Sequence, residues 1–499
     1  MHSPIDKIHH AYKTDRINGK PPGTLYDAIF LVIKRLIHQI ELPYGTELPS
    51  TRKLADRLEV SRSTIIQVYE LLKLGRLIYH HQGTVHRVAF QSNNPMESEY
   101  FVEDEAYPPL SRAGLAFVKS THFLESAIDE ETAFRPGLPP LDIFPVNQWK
   151  ILSNQYWRHV KDAELTYMAS TVSPQLRASL ARYLNFTRGI KADPRQIIVV
   201  SGSLQSIYAI STLLINPGET VIHENPTFPN VISILRGLQC HVEAVAIDEE
   251  GISIEGLHAV TTSSTKALLT VPSCHYPLGT KMSLQRRLDL LEWARHSKAI
   301  IIEDDYEHEV NNSTEFLPSL FSLDKDERTF FLGTFNRLLH PSIRIGYMVV
   351  PFRYLNAMES LLRHLHRFVP NSTQMVLSQF IDKNLLFKHI QHLLKIAHER
   401  KEFFLKTFSQ YFGNEVPIVP FSTNSLHLLA LLPDNISDQK LIQHFREHHI
   451  AVHALSKTYV TTPCPQGLIF GYTPIKRTEM KHKIKLMHKA YLAFKKQYV

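Results

Sequence analysis

Five short apolar runs, at residues 197–200, 220–223, 267–271, 299–303 and 330–332, are separated by stretches with helical periodicity. Strands joined by helical crossovers imply a mostly parallel α/β sheet. Ligands of such sheets sit beyond the carboxyl ends of the strands, where loops meet helix N-termini. Small and polar residues occupy those places here. Ser201-Gly202-Ser203-Leu204-Gln205 follows the first run, and Glu224-Asn225-Pro226-Thr227-Phe228-Pro229 the second. Pro272 to Gly279 (PSCHYPLG) follows the third, and Asp304-Asp305-Tyr306 the fourth. The fifth leads into residues 333–347, GTFNRLLHPSIRIGY.

Each of these has a chemical reading and a plainer one. Free backbone N–H groups at a helix start suit a phosphate, yet SGSLQ alone reads equally as an ordinary capped turn. Phe228 could stack on a flat ring, or simply pack in a core. One carboxylate of Asp304-Asp305 could hydrogen-bond a protonated pyridine nitrogen, or the pair could cap a helix. Arg344 offers a guanidinium for a phosphate.

At 499 residues the chain exceeds one hydrophobic core, which predicts two or three domains. Three cysteines, Cys240, Cys274 and Cys464, with no close pair, argue against a disulfide framework or a zinc cluster. No metal site is expected. The start, MHSPIDKIHHAYK, has no apolar signal core, and no apolar run is long enough to span a bilayer. A cytoplasmic protein with no membrane partner is expected. The net charge of +7 is uneven: residues 1–90 carry 13 Lys/Arg against 8 Asp/Glu, and residues 97–105 turn acidic. A basic N-terminal module followed by a linker accounts for that asymmetry.

Within the module, Leu25, Ile29, Val32, Ile33, Leu36 and Ile40 recur at helical spacing before a Leu42-Pro43-Tyr44-Gly45 turn. Ser50 can cap a short helix holding Leu54, Ala55 and Leu58, and Ser61 a third helix. On the third, Ile65, Val68, Tyr69 and Leu72 share one face; Arg62, Ser63, Ile66, Gln67 and Glu70 share the other. This predicts a helix-turn-helix whose second helix enters a major groove, with a β-hairpin wing over 75–90 and Gly83 at its tip. An exposed Arg62 there can reach phosphate or a guanine edge, and Gln67 an adenine.

Leu48-Pro49-Ser50-Thr51-Arg52, Val60-Ser61-Arg62-Ser63-Thr64 and Gly83 resemble the motifs of the GntR-type winged-helix domain. The resemblance implies that Arg52, Ser61, Arg62, Thr64 and the wing near Gly83 touch DNA. SGSLQ, ENPTF, VPSCHYPLG, EDDYEHE and GTFNRLLHPSIRIGY resemble, in order, the pyridoxal phosphate (PLP) domain of the MocR subfamily. That subfamily joins a GntR-type reader to a fold-type I aminotransferase-like domain, and the likeness runs from residue 24 onward. By that resemblance Ser203 and Arg344 bind the phosphate, Phe228 stacks, Asp304 faces the ring nitrogen, Tyr306 the phenolic oxygen, and Thr334 also touches the cofactor. The domains expected are an extension at 1–23, the reader at 24–90, a linker at 91–131 and the aminotransferase-like effector and dimerisation domain at 132–499.

Four departures stand out. The family's Schiff-base lysine is Arg337, and a guanidinium keeps its proton far above physiological pH, so it is no nucleophile. The arginine that grips an amino-acid carboxylate is Ile469, which leaves an apolar wall. Val172 replaces a glycine, and Cys274 stands where the related loop often has His. The joint loss of lysine and carboxylate grip argues against transaminase chemistry, and the resemblance implies a homodimeric regulator of operator DNA. It would hold PLP, if at all, without a covalent bond, or answer to some other small-molecule effector. An active aminotransferase carrying a DNA module is the alternative, and a ligand-free dimerisation scaffold the third reading.

Overall fold

The computed structural model describes residues 3–17, 25–38, 41–42, 45–74, 77–79, 85–88, 110–120, 133–166, 172–310, 317–365, 369–461 and 464–498. Two compact units emerge, Met1–Pro109 and Leu110–Val499.

Unit one contains α1 (Pro4–Ile17), α2 (Leu25–His38), α3 (Thr51–Leu58) and α4 (Arg62–Leu74), then β1 (Ile78–Tyr79) antiparallel to β2 (Arg87–Val88). Serines start the two short helices as expected. Ser50 Oγ accepts from the Lys53 amide at 3.3 Å, and Ser61 Oγ from the Thr64 amide at 3.2 Å. Ile29, Val32, Ile33 and Leu36 meet Leu54, Leu58, Ile65, Val68 and Leu72 in one core. Leu25 departs from the expected stripe: it sits exposed at the first turn, while Ala28 and Ile37 are buried instead. Ile40, and Gly83 at the expected wing tip, lie outside the described residues. The expected extension at 1–23 is corrected in part. It supplies α1, whose Ile8 and Tyr12 are buried in the same core, so this helix belongs to the reader.

Unit two begins with α5 (Arg112–Ser120), followed by α6 (Val146–His159), α7 (Pro174–Arg188), α8 (Ser203–Leu214) and α9 (Pro229–Gly237). The tether expected over 91–131 is therefore too long. Within it, α5 packs on α9: Phe117 lies so close to Gly237 that any Cβ there would collide with its ring, and Ser233 Oγ donates to Ser120 Oγ at 3.3 Å. An apolar helical stripe was hidden there by the neighbouring prolines and acids.

The sheet of unit two has eight strands: β3 (Ile197–Val200), β4 (Thr220–Asn225), β5 (His241–Asp248), β6 (Gly251–Ile252), β7 (Thr265–Thr270), β8 (Ile300–Asp304), β9 (Thr329–Thr334) and β10 (Gly346–Val349). Their spatial order is β3-β10-β9-β8-β7-β4-β5-β6. The pairs β9·β8, β8·β7, β7·β4 and β4·β5 are parallel; β10 and β6 pair antiparallel with their neighbours. Central strands are apolar at successive residues because both faces are covered. Ile198, Val200, Leu269, Ile302 and Leu332 face one core cluster, while Ile197, Val199 and Phe331 face another. A smaller antiparallel sheet, β11 (His427–Leu431), β13 (Gly467–Gly471) and β12 (His453–Ala454), packs with the 28-residue helix Leu385–Phe412 and the C-terminal helix Arg477–Tyr498.

Candidate functional site

A cavity of about 250 Å³ opens at the carboxyl ends of β3, β4, β7, β8 and β9. Ser203, Phe228, Asp304, Tyr306, Thr334 and Arg344, the six residues expected there, all line it, together with Arg337, Asn336, Tyr276 and Gln205. Buried acid side chains behind it tie the strand ends together. Glu224, at the end of β4, accepts from Thr270 Oγ1 at 2.6 Å and the Val271 amide at 2.9 Å. Burial pushes its carboxyl up to about 7.

At one end lies the start of α8. Gly202 has φ 144°, a region that favours glycine, and turns the chain into α8, whose first residues Ser203, Leu204 and Gln205 line the cavity. The amides of Gln205 and Ser206 already donate to Gly202 O, which leaves those of Ser203 and Leu204 as the open donors at the positive end of the helix dipole. Arg344, also at positive φ, lines the same cavity, and its side chain makes no hydrogen bond or ion pair among the described residues. The end is built for an anion.

The neighbouring aspartates have opposite fates. Asp305 points away from the cavity. Burial opposes its charge, yet the Arg188 guanidinium at 2.7 Å holds its carboxyl below the usual carboxylate range. Arg188 also donates to Ser273 Oγ at 3.1 Å, clamping α7 to two loops of the site. Asp304 faces the cavity, where its Oδ1 accepts from Ser203 Oγ at 2.9 Å. Burial pushes the Asp304 carboxyl up to about 6, against the Ser203 hydrogen bond, which pulls it down. Phe228 stands edge-on to Tyr276, ring centres 5.7 Å apart. The Tyr306 hydroxyl is buried and has no hydrogen-bond partner among the described residues.

Arg337 occupies the remaining wall. Its Nη1 lies 3.5 Å from Glu307 Oε1, and its guanidinium sits 5.0 Å from the centre of the Tyr306 ring. It also presses against Gly137, where any Cβ would overlap it. Glu307 is itself fixed, its Oε2 accepting from Ser425 Oγ at 2.7 Å and the Leu426 amide at 3.3 Å. Ile469, on β13, is fully buried in an apolar cluster with Tyr276, Tyr306, Leu429 and Leu455. Cys274 is buried too, accepting from Thr423 Oγ1 at 3.2 Å, and burial pushes its thiol up to about 12. Val172 is core.

In unit one, Arg52, Arg62 and Gln67 are exposed, and their side chains make no hydrogen bond or ion pair among the described residues. Ile65, Val68, Tyr69 and Leu72 point the opposite way into the core. Ser61 and Thr64 are engaged with each other at 2.7 Å as part of the α4 cap. Tyr69 fixes the angle of α4 by donating to Pro49 O at 2.6 Å.

Residues 143–467 match the family described as aminotransferase class I and II. The chain belongs to that family. Residues 25–88 match the gntR family of bacterial regulatory proteins. The whole is thus a GntR-type, MocR-like helix-turn-helix regulator with a class I and II aminotransferase domain. It is 27% identical over 452 residues to the probable rhizopine catabolism regulatory protein MocR of Rhizobium meliloti, covering 91% of this chain and 90% of that one. The pyridoxine biosynthesis transcriptional regulator PdxR of Corynebacterium glutamicum is 25% identical, over 91% of this chain and 93% of its own. An archaeal alanine:glyoxylate aminotransferase shares the fold of unit two, with a TM-score of 0.68 and 19% identity over 79% of this chain and 98% of that one. Among the described residues no helix is long and apolar enough to cross a membrane.

Family members of this fold bind PLP, and the residues of this cavity fit it. An unpaired Arg344 and a helix N-terminus meet the needs of a phosphate, Asp304 those of a ring nitrogen, and the orphaned Tyr306 hydroxyl those of a ring oxygen. No amine stands among the lining side chains. Sequence reasoning missed Glu307, Asn336, Tyr276 and Gly137. Glu307 had a signal, an acid directly after Asp304-Asp305-Tyr306 in a stretch otherwise apolar on its N-terminal side. Gly137 had none, because it meets Arg337 from 200 positions away in sequence.

Proposed function

We propose that this protein is a cytoplasmic transcription regulator that binds an operator as a homodimer, and that its cavity senses PLP held without a covalent bond. The observation that carries the reading is the contrast within one cavity. Groups for a phosphate, a ring nitrogen and a ring oxygen stand together, while the nucleophile's place holds a guanidinium paired with Glu307. Arg344, Ser203, Thr334 and the α8 amides would hold the phosphate, Asp304 and Tyr306 the ring, and Phe228 its face.

When bound, the cofactor supplies an electron-withdrawing ring. Arg337 cannot attack its carbonyl carbon, because a guanidinium has no free lone pair at physiological pH. Ile469 cannot grip an amino-acid carboxylate. Turnover is therefore not the task, which sets aside the alternative of an active aminotransferase. Ligand binding shifts DNA affinity only if it favours one of two arrangements of the chain.

For DNA, support comes from the exposed Arg52, Arg62 and Gln67, from Ser61 and Thr64 at the start of α4, and from the antiparallel β1–β2 pair that follows it. A dimer places two such readers on the half-sites of a palindrome. Large apolar side chains left exposed along α6, Val146, Ile151 and Trp157, with Leu165 beyond it, favour a covered face in a homodimer.

The test is calorimetric titration with PLP alongside a visible spectrum. Reversible binding is expected, with no visible band that borohydride bleaches, and Arg337→Lys should create such a band. No binding at all leaves a dimerisation scaffold; a bleachable band in the unaltered protein restores the enzyme.

A further inference from the structure

The group that replaced the nucleophile also changes what the cavity accepts. Arg337 brings N–H donors and no acceptor atom of its own. It lines the cavity, Glu307 stands behind it at 3.5 Å, and Tyr306 lies against its face at 5.0 Å. Its Nη1 is buried without a hydrogen bond. The Glu307 contact, at 3.5 Å, therefore holds the guanidinium in place while Nη1 goes without a hydrogen bond. A buried donor without an acceptor costs free energy until something supplies one.

The charges of the lining point the same way. Its permanently charged groups are two cations, Arg337 and Arg344, with Asp304 the one carboxylate. With a phosphate at Arg344 and the α8 N-terminus, and a ring nitrogen at Asp304, the other ring substituents meet Tyr306 and Arg337. An oxygen acceptor there, whether carbonyl or carboxylate, takes charge-assisted hydrogen bonds from the guanidinium. An ammonium there brings two cations together and leaves the donors unpaired.

We propose that Arg337 makes this cavity selective for phosphorylated pyridine ligands carrying an oxygen acceptor, an aldehyde or a carboxylate, beside it, and excludes the amine form. A lysine at this position would react with the aldehyde; the arginine recognises the oxygen. The device would let the protein read the carbonyl form of the cofactor while ignoring the aminated one. This inference rests on the reading that the cavity binds PLP.

The test is calorimetry on the full chain with four probes: pyridoxal 5′-phosphate, 4-pyridoxic acid 5′-phosphate, pyridoxamine 5′-phosphate and inorganic phosphate. The aldehyde and the acid are expected to bind at least about tenfold more tightly than the amine, a gap that one charge-assisted hydrogen bond supports. Arg337→Gln, checked for folding by its melting curve, should narrow that gap to less than about threefold. The comparison in the unaltered protein needs no variant, so a misfolded Arg337→Gln does not remove the test. Equal or tighter binding of the amine overturns the inference and leaves the cofactor reading standing. A preference that persists in a folded Arg337→Gln overturns the role of Arg337. If no ring compound binds better than inorganic phosphate, the cofactor reading falls and takes this inference with it.

Discussion

The two units of this chain keep their working groups in opposite ways. In the reader, Arg52, Arg62 and Gln67 are exposed on their helices, while apolar residues one face away hold the helices together. In the aminotransferase-like unit most of the working groups are partly buried and held by neighbours, Arg337 by Glu307 and Asp304 by Ser203, with Asp305 gripped by Arg188 behind them, while the Arg344 side chain stays exposed. The difference separates affinity from stability. A solvent-facing arginine can be removed without disturbing the fold, whereas an interior charge cannot leave without stranding its partner.

Removing Arg188 is the severest way to probe that contrast. Arg188→Met leaves Asp305 as a buried charge without its cation, and breaking such pairs typically costs about 3–5 kcal/mol. A denaturant melt should show the loss in unit two; a loss under about 1 kcal/mol would mean that water or rearrangement rescues Asp305.

Asp304→Asn reaches the cavity and has a sign that depends on pH. The folded pKa of Asp304 is raised, so the folded chain binds its proton more tightly than the unfolded chain does. Stability from this group is fullest in acid and is lost as pH climbs from about 4 to about 6. Asparagine should therefore stabilise the ligand-free protein at pH 8 by about 1–3 kcal/mol, and hardly at all at pH 4. The same change should weaken PLP binding, since the amide cannot neutralise a pyridinium. Equal melting curves at pH 8 would show that Asp304 is well solvated and carries no such cost.

Arg62→Ala should weaken operator binding by about 1–3 kcal/mol and leave the melting curve unchanged. The slope of log affinity against log salt should fall by about 0.9 if the lost contact is to one phosphate. A shifted melt with normal DNA affinity would reverse the contrast between the units. Tyr69→Phe is the mildest test, since it deletes only the hydrogen bond to Pro49 O. About 1 kcal/mol of stability should go, read from the reader's own unfolding transition.

How far the sequence could be read follows the same divide. In the reader, helix faces are set by spacing within one turn or two, so Ile65, Val68, Tyr69 and Leu72 were legible as core and Arg62 as exposed. Leu25 failed because periodicity does not tell where along a helix the covering layer ends. The helices Pro4–Ile17 and Arg112–Ser120 were passed over because polar or proline-rich flanks masked short apolar stripes that find cover only in the folded units.

In the larger unit, the strands and the six cavity residues were legible as an ordered set of motifs, each ambiguous alone. Their convergence follows from the parallel topology, which brings the carboxyl ends of separate strands to one edge. What sequence by itself determined is chemical identity: a guanidinium at Arg337 where an amine would be needed, and an alkyl wall at Ile469. Only the tertiary structure decided their surroundings. Glu307, Tyr306 and Gly137 meet Arg337 from different parts of the chain, and Asp304 and Asp305 part ways because one strand end turns inward between a cavity and a buried arginine. Covalent chemistry belongs to a residue wherever it stands, but charge, exposure and hydrogen bonding belong to neighbours that only folding supplies.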